Sequence, residues 1–138
     1  MIFLVDCSHD IFVNVDHDSK SSAEKPYQET FFHIIIKAFI NFLKAKIIST
    51  PNDKTSLILF NTKKSENPLN FQGVNIVFDL SQSTAERIKN AQNLLDLEFD
   101  SKFGGVSDEQ NNLYEALWSC NHLFREQGYE ENSSKRIF

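Results

Sequence analysis

MIFLVDCSHD, residues 1–10, decides how the rest of the chain is read. Ile2, Phe3, Leu4 and Val5 are apolar without alternation, and the run then breaks into Asp6, Cys7, Ser8, His9 and Asp10. A half-buried strand alternates apolar and polar residues, so an unbroken apolar run predicts a strand covered on both faces, the central position of a parallel sheet. In an open α/β sheet, ligands bind in the crevice beyond the carboxyl ends of such strands. Asp6 and Ser8 fall at that end and are the first candidates for a site.

Outward from this strand, loops, helices and strands alternate. Residues 14–29 are polar, include Pro26, and read as a loop. From about Tyr27 to Ser49, Phe32, Ile35, Ile36, Phe39, Leu43 and Ile47 recur at spacings of three and four, one continuous helical stripe. Phe31, Ile34, Ile40 and Phe42 add apolar surface on other sides, so this helix is expected to be deeply sandwiched or to lie under another part of the protein. Pro51 and Asn52-Asp53 end it. Ser56 to Asn61 is a second short buried strand, 62–73 a charged, turn-rich surface loop, and Val74 to Leu80 a third strand whose partial alternation suits a sheet edge. Ser83 with Glu86 reads as a capping box opening a second helix that runs to about Leu97. Gly104-Gly105 and a second possible box, Ser107 with Gln110, precede a third helix with Leu113, Ala116, Leu117, Cys120, Leu123 and Phe124 on one face, stopping near Gly128. Arg136, Ile137 and Phe138 look like the first residues of a further strand. The chain is therefore expected to be cut short inside a core element. The order is that of an α/β protein with a mixed sheet, since only the second and third strands are linked closely enough for an antiparallel hairpin.

Composition narrows the function. The 138 residues make one domain or most of one, and the net charge is -5, with fourteen basic residues scattered among nineteen acidic ones. Such a chain lacks the clustered lysine and arginine needed to displace counterions from DNA phosphates. Cys7 and Cys120 have no metal-ligand spacing and read as reduced core thiols. His9, His17, His33 and His122 have no mutual spacing that suggests zinc. The longest apolar segment, 31–48, is interrupted by His33, Lys37, Asn41, Lys44 and Lys46, which argues against a membrane span. Tyr114 and Trp118 fall off the stripe of the third helix, either as contacts for a partner or packed on a neighbouring element.

A buried strand ending in Asp-x-Ser, a long first helix, a hairpin-like pair, then a Gly-Gly loop and a helix with Ala-Leu in its first turns is the order of a von Willebrand factor A domain. Within that superfamily, IFLVDCS, KIIST, LILFNTKKSENPLNFQGVNIVFDL, AERI, LYEALWSCNHLF and the terminal KRIF most resemble the N-terminal α/β domain of the seventy-kilodalton subunits of Ku heterodimers. The resemblance covers nearly all of 1–138. It implies a Rossmann-like, von Willebrand factor A-type three-layer sandwich with a mixed, mostly parallel sheet, incomplete at its C-terminus and lacking the DNA-encircling β-barrel. It further implies a nuclear protein that pairs with the other Ku subunit, of the 80-kDa type, and binds double-stranded DNA ends. End-joining and telomere proteins would be its further partners, in repair of breaks by non-homologous end joining and in telomere maintenance. This domain would then be a peripheral protein-interaction module.

The same resemblance frames the site. Metal-binding A domains surround one Mg²⁺ with oxygens from an Asp-x-Ser-x-Ser loop, a threonine and a distal aspartate. Here the loop reads Asp6, Ser8, Asp10, and the threonine position falls at about Asn111, so a degenerate remnant is expected and no metal or other cofactor. Asp6 and Ser8 would instead satisfy nearby backbone donors. The alternatives are a metal-dependent A domain that binds ligands through such an ion, or a phosphotransferase or phosphatase acting through Asp6. For the latter, the second aspartate of the phosphatases is replaced by Ser8. The Ku family is sometimes described as an ATP-dependent helicase, but no Gly-x-x-x-x-Gly-Lys-Ser/Thr phosphate loop is present, and no catalytic residue is assigned.

Overall fold

The computed structural model describes residues 1–15, 29–95, 111–128 and 134–138. β1 (Ile2–Asp6) pairs in parallel with β2 (Lys54–Phe60), and β2 pairs antiparallel with β3 (Val74–Gln82), giving the order β1-β2-β3. On the other side of β1, Ile2 bridges Ile137 in parallel. The Ile2 N–H donates to the Arg136 carbonyl at 2.9 Å, and the Leu4 N–H to that of Phe138 at 2.7 Å. Residues 136–138 thus enter the sheet as expected, and β1 is interior. Two of the three pairings are parallel.

Burial on both sides explains the unbroken apolar run. Val5 and Cys7, with Phe3 beside them, face the layer formed by α1 (Phe31–Ser49) and α2 (Ala85–Gln92), together with Leu57 and Leu59 of β2. Ile2 and Leu4 point the other way, to Ala116, Cys120 and Leu123 of α3 (Leu113–Glu126). The result is a three-layer α/β sandwich. Phe3 locks β1 to α1 through edge-to-face contacts with Phe39 (5.1 Å between centroids) and Phe42 (4.8 Å), a geometry that adds to area burial.

α1 begins at Phe31, later than Tyr27, because its cap lies there. The His33 N–H donates to Thr30 Oγ1, while His33 Nδ1 accepts from the Thr30 N–H, so a buried histidine fills the role usually taken by glutamate. The buried stripe is Phe32, His33, Ile36, Phe39, Ile40 and Leu43, with Ile35 and Ile47 only half-buried. The second helix is capped one residue later than expected. Thr84 Oγ1 accepts from the Arg87 N–H at 3.2 Å, while Ser83 turns inward to within 3.4 Å of Thr55 Oγ1. After Gln92 a 3-10 turn covers Asn93–Leu95. The third-helix stripe is corrected as well. Ala116, Ser119, Cys120 and Leu123 are buried, and Leu113 and Leu117 are exposed. Small residues set the seam, because they let the helix approach the sheet closely, and the Ser119 hydroxyl is satisfied by the Glu115 carbonyl at 2.9 Å. Leu97, Gly104-Gly105 and the Ser107–Gln110 box lie outside the described residues.

The partial alternation of β3 has a specific cause. From Val74 to Gln82 it spends nine residues against the seven of β2 from Lys54 to Phe60, and the register shifts twice. Extra residues in one strand leave ladder groups unpaired. Arg87 collects them: Nη2 donates to the Thr55 carbonyl at 2.9 Å, and both terminal nitrogens reach the Asp79 carbonyl at 3.1 Å, with the guanidinium over the Phe78 ring. Arg87→Met keeps much of the apolar stem but removes these donors. It is expected to cost about 0.5–1.5 kcal/mol, the usual net contribution of partly exposed hydrogen bonds, read as a lowered urea midpoint with an unchanged slope.

Candidate functional site

At the carboxyl end of β1 the chain turns sharply. Asp6 Oδ1 accepts from the Ser8 N–H at 2.9 Å, an Asx-type turn, and a 3-10 turn over His9–Phe12 follows. The same Oδ1 accepts from Asn61 Nδ2 at 2.8 Å. Asn61 lies just past the end of β2 and is buried, with φ 57, the left-handed region that asparagine tolerates better than most residues. Its other amide atom, Oδ1, accepts from the Asn112 N–H at 2.9 Å, at the cap of α3. One side chain therefore joins the ends of β1 and β2 to the start of α3.

Neighbouring residues close around this knot. Gly73, φ +69, sits against the Asn112 side chain so tightly that an added Cβ would fall 2.0 Å from Asn112 Nδ2. Only glycine meets both the backbone angle and the approach. Asn67 organises the preceding loop by donating to the carbonyls of Phe71 and Val74, both at 2.8 Å.

The residues expected at this site are brought together only in part. Asp6 and Ser8 do meet, through a backbone donor. Asp10 is exposed on the 3-10 turn, and Asn111 is exposed with its Oδ1 accepting from the Leu113 N–H at 3.1 Å. A divalent cation of the magnesium type needs converging oxygens in near-octahedral array. Here Asp6 Oδ1 already accepts two hydrogen bonds and Asn111 Oδ1 accepts one from the Leu113 N–H, so the residues present do not supply the converging oxygens that the ion needs. Among the described residues, no group of three or more His, Cys, Asp or Glu is placed to hold a metal. Asn61, Asn112 and Gly73 were not singled out from the sequence. The signal for Asn61 was available as an asparagine immediately after an apolar strand, where a left-handed residue ends the ladder.

The other titratable candidates are structural. Cys7 and Cys120 are buried on opposite faces of the sheet, and burial pushes the Cys120 thiol up to about 11, so it is protonated and unreactive at neutral pH. His33 caps α1, His122 Nε2 lies 3.4 Å from Glu126 Oε1, and His17 lies outside the described residues. Tyr114 and Trp118 stack on each other at 6.4 Å, with 73% and 47% of their surfaces exposed. With Leu113 and Leu117 they form an apolar patch on the outer side of α3. Among the described residues no helix is long and apolar enough to cross a membrane.

A three-layer α/β sandwich whose strand-end crevice is tied by amides is a domain of the class that the von Willebrand factor A resemblance implied, with its ion-holding positions altered. A family model described as the Ku70/Ku80 N-terminal alpha/beta domain matches residues 1–138, and the chain belongs to that family. It is 33% identical over 148 residues to an Arabidopsis thaliana protein named ATP-dependent DNA helicase 2 subunit KU70, covering all of this chain and 23% of the relative. It is 31% identical over 125 residues to ATP-dependent DNA helicase 2 subunit 1 of Rhipicephalus appendiculatus, covering 90% of this chain and 19% of the relative. Mouse X-ray repair cross-complementing protein 6 is 28% identical over 128 residues, with the same coverage of each. The chain thus spans about a fifth of the length of these relatives.

The amide bridge has a measurable consequence. Asn61→Gly keeps the left-handed backbone without strain but removes both bonds, and is expected to cost about 1–3 kcal/mol. Asn70→Gly, at the other left-handed asparagine (φ 55, exposed), is expected to be neutral or slightly stabilising, within about 0.5 kcal/mol. Chemical denaturation of the pair separates the bridge from the backbone effect.

Proposed function

We propose that the chain is the N-terminal docking domain of a Ku-type subunit that acts in the nucleus with an 80-kDa-type partner subunit. In this reading the heterodimer holds double-stranded DNA ends for non-homologous end joining and serves telomere maintenance. The domain itself carries out no catalysis and touches DNA little. It offers its outer surface to end-joining and telomere proteins. Family membership supports the parent role, and the names of the relatives, which include DNA repair and helicase subunits, agree with it. The observation that carries the docking role is the patch of Leu113, Tyr114, Leu117 and Trp118 on the outer side of α3, because stacked aromatics exposed beside leucines are the composition of interaction hot spots. The acidic balance of the chain supports a place away from the phosphates.

Two measurements test this reading. The isolated chain is expected to give no gel shift with blunt duplex DNA at physiological salt, and a submicromolar shift overturns the peripheral placement. In the parent heterodimer, Tyr114→Ala with Trp118→Ala is expected to leave DNA-end affinity within about twofold while lowering end joining in extract about tenfold or more, the effect of losing roughly 1.4 kcal/mol or more at a docking contact. Unchanged end joining, or lost end affinity, contradicts the docking role.

A further inference from the structure

The sheet has a second end, opposite the Asp6 crevice. There the C-terminus of α1, the start of β2, the end of β3 and the end of α3 surround a cleft of about 850 Å³, the size of a small-ligand site. Among the described residues, Lys46, Lys54, Lys135 and Arg136 line it against a single carboxylate, Asp53. The chain as a whole carries a charge of -5, so composition does not account for a local excess of positive charge. Gathering like charges costs free energy that a bound counter-charge offsets.

Three of these cations are also held in position. Lys46 Nζ donates to Asp53 Oδ2 at 2.6 Å and to Thr50 Oγ1 at 3.0 Å, which fixes the lysine and occupies the one carboxylate. That pairing holds the Asp53 carboxyl below its usual range. Lys54 Nζ donates to the neutral Gln127 Oε1 at 2.7 Å, across 73 residues of chain, so this contact sets its place without cancelling its charge. The Lys135 ammonium lies 5.8 Å from the centroid of the Phe124 ring. Lysine heads ordinarily sweep through water on flexible stems, and a site in which folding has already ordered them spends less on binding.

We propose that this cleft binds a small, multiply charged oxyanion, with Lys54 and Arg136 as the principal charge contacts and Gln127 as the residue that positions Lys54. Polyphosphate and polycarboxylate ligands share that chemistry. The site lies at the far end of the sheet from Asp6 and takes a small ligand, so it stands or falls separately from the docking role of α3.

Calorimetric titration of the 138-residue chain with sodium pyrophosphate, and separately with citrate, at ionic strength held constant with sodium chloride, tests it. Saturable binding of at least one is expected, with a dissociation constant below about 1 mM. Lys54→Gln combined with Arg136→Gln should weaken it at least tenfold while leaving the circular dichroism unchanged. Pyrophosphate alone binding assigns a phosphate ligand, citrate alone a carboxylate one, and both a site that reads charge. The unfolding temperature should rise with the bound anion and not with equivalent chloride. No saturable binding of either anion, or binding that the double variant retains in full, overturns the proposal.

Discussion

Burial of β1 on both faces is the constraint on which the rest of this molecule depends. Residues 2–5 have no polar side to give to water, so α1 and α2 must cover one face and α3 the other, and β2 and residues 136–138 must flank the strand. Each such side chain withdrawn from water contributes roughly 1.5–3 kcal/mol, and the apolar faces of the helices are spent on the same surface. Phe39 serves both ends of this arrangement, touching Phe3 from β1 and stacking with Phe78 from β3 at 6.1 Å. The path of the chain is largely a consequence of finding partners for the four consecutive residues 2–5.

That path brings the ends of β1 and β2 and the start of α3 together beside Asp6, where an open α/β sheet usually leaves a place for a ligand. Here the place is taken by protein. The Asn61 amide donates to the Asp6 carboxylate and accepts from the start of α3, so the linkage that a cation would supply comes from one neutral side chain. Gly73 lets the β2–β3 loop close against Asn112. A domain built this way ties its strand ends together internally, and its exposed apolar and basic surfaces lie elsewhere, on the outside of α3 and in the cleft at the opposite end.

Much of the fold was legible because it follows from periodicity. The three strands, the three helices and the antiparallel hairpin appear in the expected order with some bounds shifted, and Arg136–Phe138 pairs beside β1. What could not be read depends on single polar contacts between distant residues. The start of α1 is hidden in the sequence because a histidine replaces glutamate in the box with Thr30. Spacing alone puts Leu113 and Leu117 on the seam of α3, because it does not say which of two adjacent stripes faces the sheet. The bulges of β3 show only as weakened alternation, and their remedy, Arg87, is an ordinary surface arginine in sequence. At the candidate site, Asp6 and Ser8 were visible by position, whereas Asn61 and Asn112 become meaningful only when residues 51 and 55 apart are seen to touch.

The claim at the centre is that an amide has taken the place of an ion at the end of β1. Calorimetric titration of the chain with magnesium chloride tests it most directly. The account expects no binding tighter than about 1 mM, because Asp6 Oδ1 already accepts two hydrogen bonds and, among the described residues, no three His, Cys, Asp or Glu side chains gather to complete a coordination sphere. Stoichiometric submillimolar binding that disappears in Asp6→Asn would contradict it.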